Sequence, residues 1–137
     1  MKKVIRNIVL VSIAVAVLIS VFDYMLNPWR RPPEQIGEDI LNQTPIGTSM
    51  EDVIEYVNGE EWNVIYISDM FGYETYYTYA WSSDSSNPGT EVGVKSVRAV
   101  AGQYTRFLIV KINVEVLFGF DENSELIEIA IQYSTDL

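Results

Sequence analysis

Residues 105–133 read TRFLIVKINVEVLFGF, then DENS, then ELIEIAIQY, and this stretch decides the fold. Thr105 to Phe120 and Leu126 to Tyr133 are rich in β-branched and aromatic residues. Asp121-Glu122-Asn123-Ser124 between them has turn composition. The pattern predicts a long antiparallel hairpin. In its second arm Leu126, Ile127, Ile129, Ala130 and Ile131 are apolar while Glu128 and Gln132 are not, so one face is mainly buried.

Upstream the strand signal continues. Trp62 to Ser68 and Gly72 to Trp81 are aromatic and β-branched, and Val92 to Tyr104 reads as a further strand. Ser82-Ser83-Asp84-Ser85-Ser86-Asn87-Pro88-Gly89 is an exposed loop by composition. Before these strands the period changes to that of helices. Met50, Val53, Ile54 and Val57 share one helical face, opposite Glu51, Asp52 and Glu55. Thr48-Ser49-Met50-Glu51 predicts a capping box with Thr48 as the cap, and Asn58-Gly59 a stop. Residues 34–42 predict a shorter helix with Ile36, Ile40 and Leu41 inward and acids in its first half, where the helix dipole favours them. Asn42-Gln43-Thr44 matches the glycosylation acceptor pattern. The expected architecture is α+β: two short helices packed on an antiparallel β-meander over residues 34–137.

A single apolar segment precedes this domain. Met1-Lys2-Lys3-Val4-Ile5-Arg6-Asn7 leads into fifteen residues, Ile8 to Phe22, whose only polar members are Ser12 and Ser20. A basic head and an apolar run direct a chain to a membrane. Val4 to Leu26 has the length of an uncleaved anchor, about 17–25 residues. Tyr24 and Trp29 suit the interfacial belt. A cleaved signal is the alternative, although Ala14-Val15-Ala16 lies inside the apolar run rather than after it. A cytoplasmic chain is the third reading. Lys2, Lys3 and Arg6 before the segment, against Arg30 and Arg31 after it, favour an extracytoplasmic C-terminal domain. Residues 27–33, with Pro28, Pro32 and Pro33, predict a stiff extended linker.

From residue 32 onward four basic residues stand against eighteen acidic ones, a balance of −14. A domain so acidic repels phosphate backbones, which argues against nucleic-acid binding. The chain has no histidine and no cysteine. That excludes imidazole and thiol catalysis, disulfides, and nearly every zinc site. The Gly clusters of a phosphate loop or dinucleotide fingerprint are missing. Asp121-Glu122-Asn123-Ser124-Glu125 lacks the alternate ligands and central Gly of an EF-hand. Glu60-Glu61 is an unspecific carboxylate pair, and Lys95-Ser96 on a strand points its two side chains to opposite faces. No enzyme activity, cofactor or metal is expected.

One constellation stands out. Tyr73, Tyr76, Tyr77, Tyr79 and Trp81 lie within nine residues, with Tyr66 and Phe71 just upstream. On a single strand Tyr73, Tyr77, Tyr79 and Trp81 would share a face. An aromatic row at the surface stacks on sugar rings or forms the core of a protein interface. The same row can instead pack onto the helices and pair across strands.

Ile46-Gly47-Thr48-Ser49-Met50-Glu51-Asp52-Val53 is similar to the "G-M-[ST]-x-x-x-V" helix start of BamE-type (SmpA/OmlA) outer-membrane-assembly lipoproteins. Phe120-Asp121-Glu122-Asn123-Ser124-Glu125-Leu126 resembles their "F-D-x-x-G-x-[LV]" hairpin, with Ser124 at the Gly position. The β-lactamase-inhibitor proteins use a related α/β unit. The resemblance covers residues 34–68 and 105–133 and implies a helical pair on a three-stranded antiparallel sheet. This chain differs by lacking the lipidated Cys and by its Tyr- and Ser-rich middle.

The reading that follows is a non-catalytic, membrane-anchored interaction domain, held through residues 4–26 and binding another envelope protein. The alternatives are an acidic inhibitor or immunity-type protein that blocks a basic partner, and a cell-wall glycan module using the tyrosines. Nothing in the sequence sets an oligomeric state.

Overall fold

The computed structural model describes residues 1–75, 89–107 and 109–135, together with the backbone of 78–81. The chain is α+β. Helix α1 (Lys2–Leu26) is followed by a 3-10 turn (Pro28–Arg30), α2 (Pro33–Gln43) and α3 (Met50–Gly59). Among the described residues seven strands follow: β1 (Asn63–Ser68), β2 (Tyr73–Glu74), β3 (Thr78–Trp81), β4 (Glu91–Val92), β5 (Lys95–Arg106), β6 (Val110–Phe120) and β7 (Leu126–Thr135). Five strands form one antiparallel sheet in the order β1-β5-β6-β7-β3, and β2 pairs with β4 as a separate ribbon.

β6 is the spine of the sheet. Its residues Ile112 to Phe120 are all buried, because both faces of the strand are covered. Val114, Val116, Phe118 and Phe120 join Val97, Ile129 and Ile131 on one face, where Ile36, Ile40, Met50, Val53 and Val57 of the helices close over them. On the opposite face Leu117 and Ala130 meet Tyr73 and Val92 of the β2–β4 ribbon. The helical stripe and the strand alternation thus build one main core and a smaller second one.

Four local expectations change. The cap of α3 is Ser49, whose hydroxyl accepts from the Asp52 amide at 3.1 Å, while the Thr48 hydroxyl donates to the Pro45 carbonyl. Ser49 also bridges to Glu125, which fixes it in the extended conformation a cap needs. The helix does end at Gly59, as the Asn58-Gly59 stop predicts, and Glu61 just beyond it takes φ 58°. The expected strand over 105–120 is cut by a turn at Phe107, which takes φ 52°, so β5 ends at Arg106 and β6 begins at Val110. The expected strand over 72–81 is two strands in two different sheets. Thr44 is buried with its hydroxyl donating to the Ile40 carbonyl, so the Asn42-Gln43-Thr44 tripeptide serves as a helix end.

α1 is long and apolar enough to cross a membrane, and none of it is buried against the domain; an N-terminal signal sequence has the same character. Residues 27–31 are not the extended spacer that their prolines suggest. Asn27 caps the 3-10 turn by accepting from the Trp29 amide at 3.0 Å, and donates to the Gln103 carbonyl at 3.0 Å. Trp29 lies against Gly102 and meets Trp62 edge-on at 6.0 Å, and Trp62 meets Tyr56 at 5.5 Å. The Arg30 guanidinium lies 5.1 Å from the ring centres of both Tyr24 and Tyr104, pairs with Asp23 at 3.2 Å and donates to the Thr105 carbonyl. Arg31 pairs with Asp39 of α2. The segment is bolted to β5.

Candidate protein-interaction surface

The charged and hydroxyl groups inside the domain are committed to its architecture. Tyr73 is 2 % exposed and its hydroxyl donates to the buried Glu128 carboxylate at 2.6 Å. Burial first, then that hydrogen bond, hold the phenol far above its ordinary range. Arg98 donates through Nε to Glu115 at 2.7 Å, and the Ser134 hydroxyl donates to the other Glu115 oxygen at 2.6 Å. Ser96 donates to the Phe71 carbonyl and Lys95 to the Ser124 hydroxyl, so the two are not paired with each other. The Asp121 carboxylate accepts from the amides of Asn123 and Glu125, both at 2.9 Å, which makes it a turn residue. Among the described residues no three acidic side chains gather closely enough to hold a metal ion.

Tyr73 stands apart from the rest of the aromatic row. Tyr73 is a core residue of the second layer, so it leaves the proposed surface: its ring fills the space under the β2–β4 ribbon. Its strand stops at Glu74, whereas Tyr79 and Trp81 sit in β3, in register with Ile131 and Ile129 of β7. Tyr76, Tyr77 and the side chains of Tyr79 and Trp81 lie outside the described residues.

An exposed apolar surface lies on β1 and the turn that follows it. β1 is an edge strand, paired with β5 alone among the described residues. Ile65 (45 %) and Ile67 (48 %) are exposed on it, and Met70 (91 %) and Phe71 (51 %) follow. None of Asn63-Val64-Ile65-Tyr66-Ile67-Ser68 is charged or proline, the usual guards of a sheet edge. One protective device is present, a bulge between Val64 and Tyr66.

The turn is braced rather than loose. The Ser68 hydroxyl accepts from the amides of Met70 and Phe71 at 3.2 Å, and the Ser96 hydroxyl donates to the Phe71 carbonyl at 2.9 Å. The Gly72 amide donates to the Glu91 carboxylate at 3.0 Å, and a Cβ on Gly72 would lie 2.0 Å from the Val92 carbonyl oxygen. Tyr66 and Phe71 touch with ring centres 5.8 Å apart. Met70 and Phe71 are therefore held out in water by fixed backbone, a costly arrangement unless something covers them. Glu60 and Glu61 lie just before the strand and Asp69 just after it.

Of these four apolar residues the sequence singles out only Phe71, as a neighbour of the aromatic row; Ile65, Ile67 and Met70 are not candidates there. The available signal is the absence of strict alternation in Val64-Ile65-Tyr66-Ile67: a strand apolar on both faces needs two covers, and an edge strand here has one. Comparisons with models of known protein families, with curated proteins and with solved structures find no match for this chain.

Proposed function

We propose that this chain is a membrane-anchored, extracytoplasmic protein-interaction domain without catalytic activity, and that its β1 edge receives an extended segment of another envelope protein. The observation that carries the reading is the uncharged edge strand continued by the braced Met70–Phe71 turn. Strand addition draws affinity from the unpaired backbone groups of the edge and selectivity from alternate side-chain contacts. α1 supplies the membrane attachment, and the BamE-type resemblance of the helix start and the β6–β7 turn favours a partner in the envelope. Glu60, Glu61 and Asp69 at the two ends of β1 favour a segment with basic flanks, which speeds encounter.

The acidic-inhibitor reading draws on the same charges and differs in salt dependence. A photo-crosslinking amino acid placed at Ile67 of the full chain, in its native membranes, tests both. One discrete adduct with an envelope protein at Ile67, lost in the Ile65→Lys background and missing from a probe at exposed Glu51, supports the strand-addition reading. Loss of that adduct at high salt moves the conclusion to the inhibitor class. No adduct at Ile65, Ile67 or Phe71 overturns the assignment of this edge.

A further inference from the structure

The β5–β6 hairpin runs back along α1. Gly102 faces Trp29, the Gln103 carbonyl accepts from Asn27, and the Thr105 carbonyl accepts from Arg30, which also holds Asp23. Next, Tyr104, Arg106 and Phe107 share one open cleft of about 820 Å³ with Ile19, Ser20 and Tyr24. As β5 advances its partners step backward along the chain, so the hairpin points toward the N-terminal part of α1. From Leu26 to Ile19 a helix climbs roughly 10 Å at 1.5 Å per residue. That is the depth to which interfacial apolar groups enter a bilayer, about 5–10 Å.

What lies at the tip suits that depth. Phe107 is 77 % exposed and Ile109 83 % exposed, the largest apolar exposures among the described residues of the domain apart from Met70. Arg106 and Lys111 flank them, Arg30 lies against Tyr24 of α1 and Tyr104 of the hairpin, and Arg31 follows it in the chain. These four are most of the six basic residues that follow Leu26, in a domain otherwise acidic. Arg30 and Arg31 are matched with Asp23 and Asp39, while Arg106 packs over the Phe107 ring at 5.0 Å. An apolar tip ringed by long cations that can snorkel is the composition of an interfacial membrane contact.

We infer that the β5–β6 hairpin tip is a second membrane contact: Phe107 and Ile109 enter the headgroup and upper acyl layer of the bilayer that α1 crosses, with Arg106 and Lys111 on lipid phosphates. The inference rests on α1 being membrane-embedded and goes beyond the interaction reading, because it fixes how the domain stands on the surface. Charge on the tip favours anionic lipid, and the contact is a lipid one, not a protein one.

The chain has no cysteine, so single labels are simple to place. Full-length protein carrying Ile109→Cys, Asn123→Cys or Val15→Cys would be labelled with an environment-sensitive dye. Each would be reconstituted in vesicles of zwitterionic and anionic phospholipid containing lipids spin-labelled at a shallow or a deep acyl position. The expected result is blue-shifted emission at Ile109 with loss of intensity to the shallow label. Val15 should be quenched by the deep label, and Asn123, at the far end of the sheet, by neither. Water-like, unquenched emission at Ile109 with Val15 still quenched overturns the hairpin contact alone. An unquenched Val15 overturns the membrane placement of α1, and the hairpin inference with it. Shallow quenching at Ile109 that vanishes in Arg106→Glu/Lys111→Glu vesicles assigns the contact to the lipid phosphates.

Discussion

A Cβ atom on Gly102 would lie 2.0 Å from Nε1 of Trp29. The missing side chain of β5 is the seat of Trp29. The bulge that shifts register between Val100 and Gly102 occurs at this same point. Trp29 in turn rests on Trp62, so one glycine controls an aromatic contact that runs from the turn after α1 to the end of α3.

Gly102→Ala should therefore unseat Trp29 and loosen residues 27–31. Overpacking of this kind costs about 1–3 kcal/mol. Limited trypsin digestion should cleave after Arg30 and Arg31 faster than in the unmodified protein, and the urea midpoint should fall. Unchanged cleavage would mean that the turn is not held by this contact.

Ser49→Ala should cost about 1 kcal/mol through the lost cap of α3, and Thr48→Ala clearly less. The structure assigns the cap to Ser49, whereas the motif alone names Thr48. Paired urea titrations of the two variants separate the assignments, and a larger loss at Thr48 would reverse them.

Tyr73→Phe removes the donor to buried Glu128, at a cost of about 1–3 kcal/mol at neutral pH. The phenol is raised above its ordinary value of 10.0 by burial, then by Glu128. Its folded form thus holds the proton when the unfolded form does not, so its contribution is full below about pH 10 and lost as pH rises further. The stability gap between the unmodified protein and Tyr73→Phe should shrink between about pH 9 and pH 11. A gap that stays constant over that window would deny the phenol this role.

Arg98→Met leaves Glu115, 5 % exposed, without its cation. Breaking a buried pair from one side costs about 3–5 kcal/mol, at the lower end here because Arg98 is partly exposed. The double variant Arg98→Met/Glu115→Met should recover most of the loss, because no charge is then stranded. Additive losses in the double-mutant cycle would show that the two residues act independently.

Ile65→Lys and Ile67→Lys should change folding stability by no more than about 0.5 kcal/mol, as surface substitutions do. Crosslinking through the edge should nevertheless disappear. A large fall in the urea midpoint would place these side chains in the fold rather than in an interface.

The sequence made the α+β class and the apolar N-terminal helix legible, because their periods and lengths are long-range signals. Val53 and Val57 of α3 and the arms of β6–β7 were readable on the same grounds. The turn at Phe107 was not, since the apolar run Phe107-Leu108-Ile109 offers no Gly, Asn or Pro and reads as continuous strand. The split of residues 72–81 was hidden for a similar reason: β-propensity reports fit to a pleated surface, not which sheet supplies it. The β1 surface was missed because exposure is decided by strand order, which places β1 at an edge although its composition resembles that of a core strand.

On the proposed membrane-anchored reading, the clasp at residues 27–31 changes what attachment to a bilayer means for this domain. A slack tether lets its cargo sample every height and tilt, and a partner must find a moving target. Here the chain is gripped within a few residues of leaving α1, so on that reading β1 would be presented within a narrow range of heights and tilts. The search for the proposed envelope partner would then become rotation and lateral diffusion in a plane. Two faces set at matching heights gain local concentration without a single added contact.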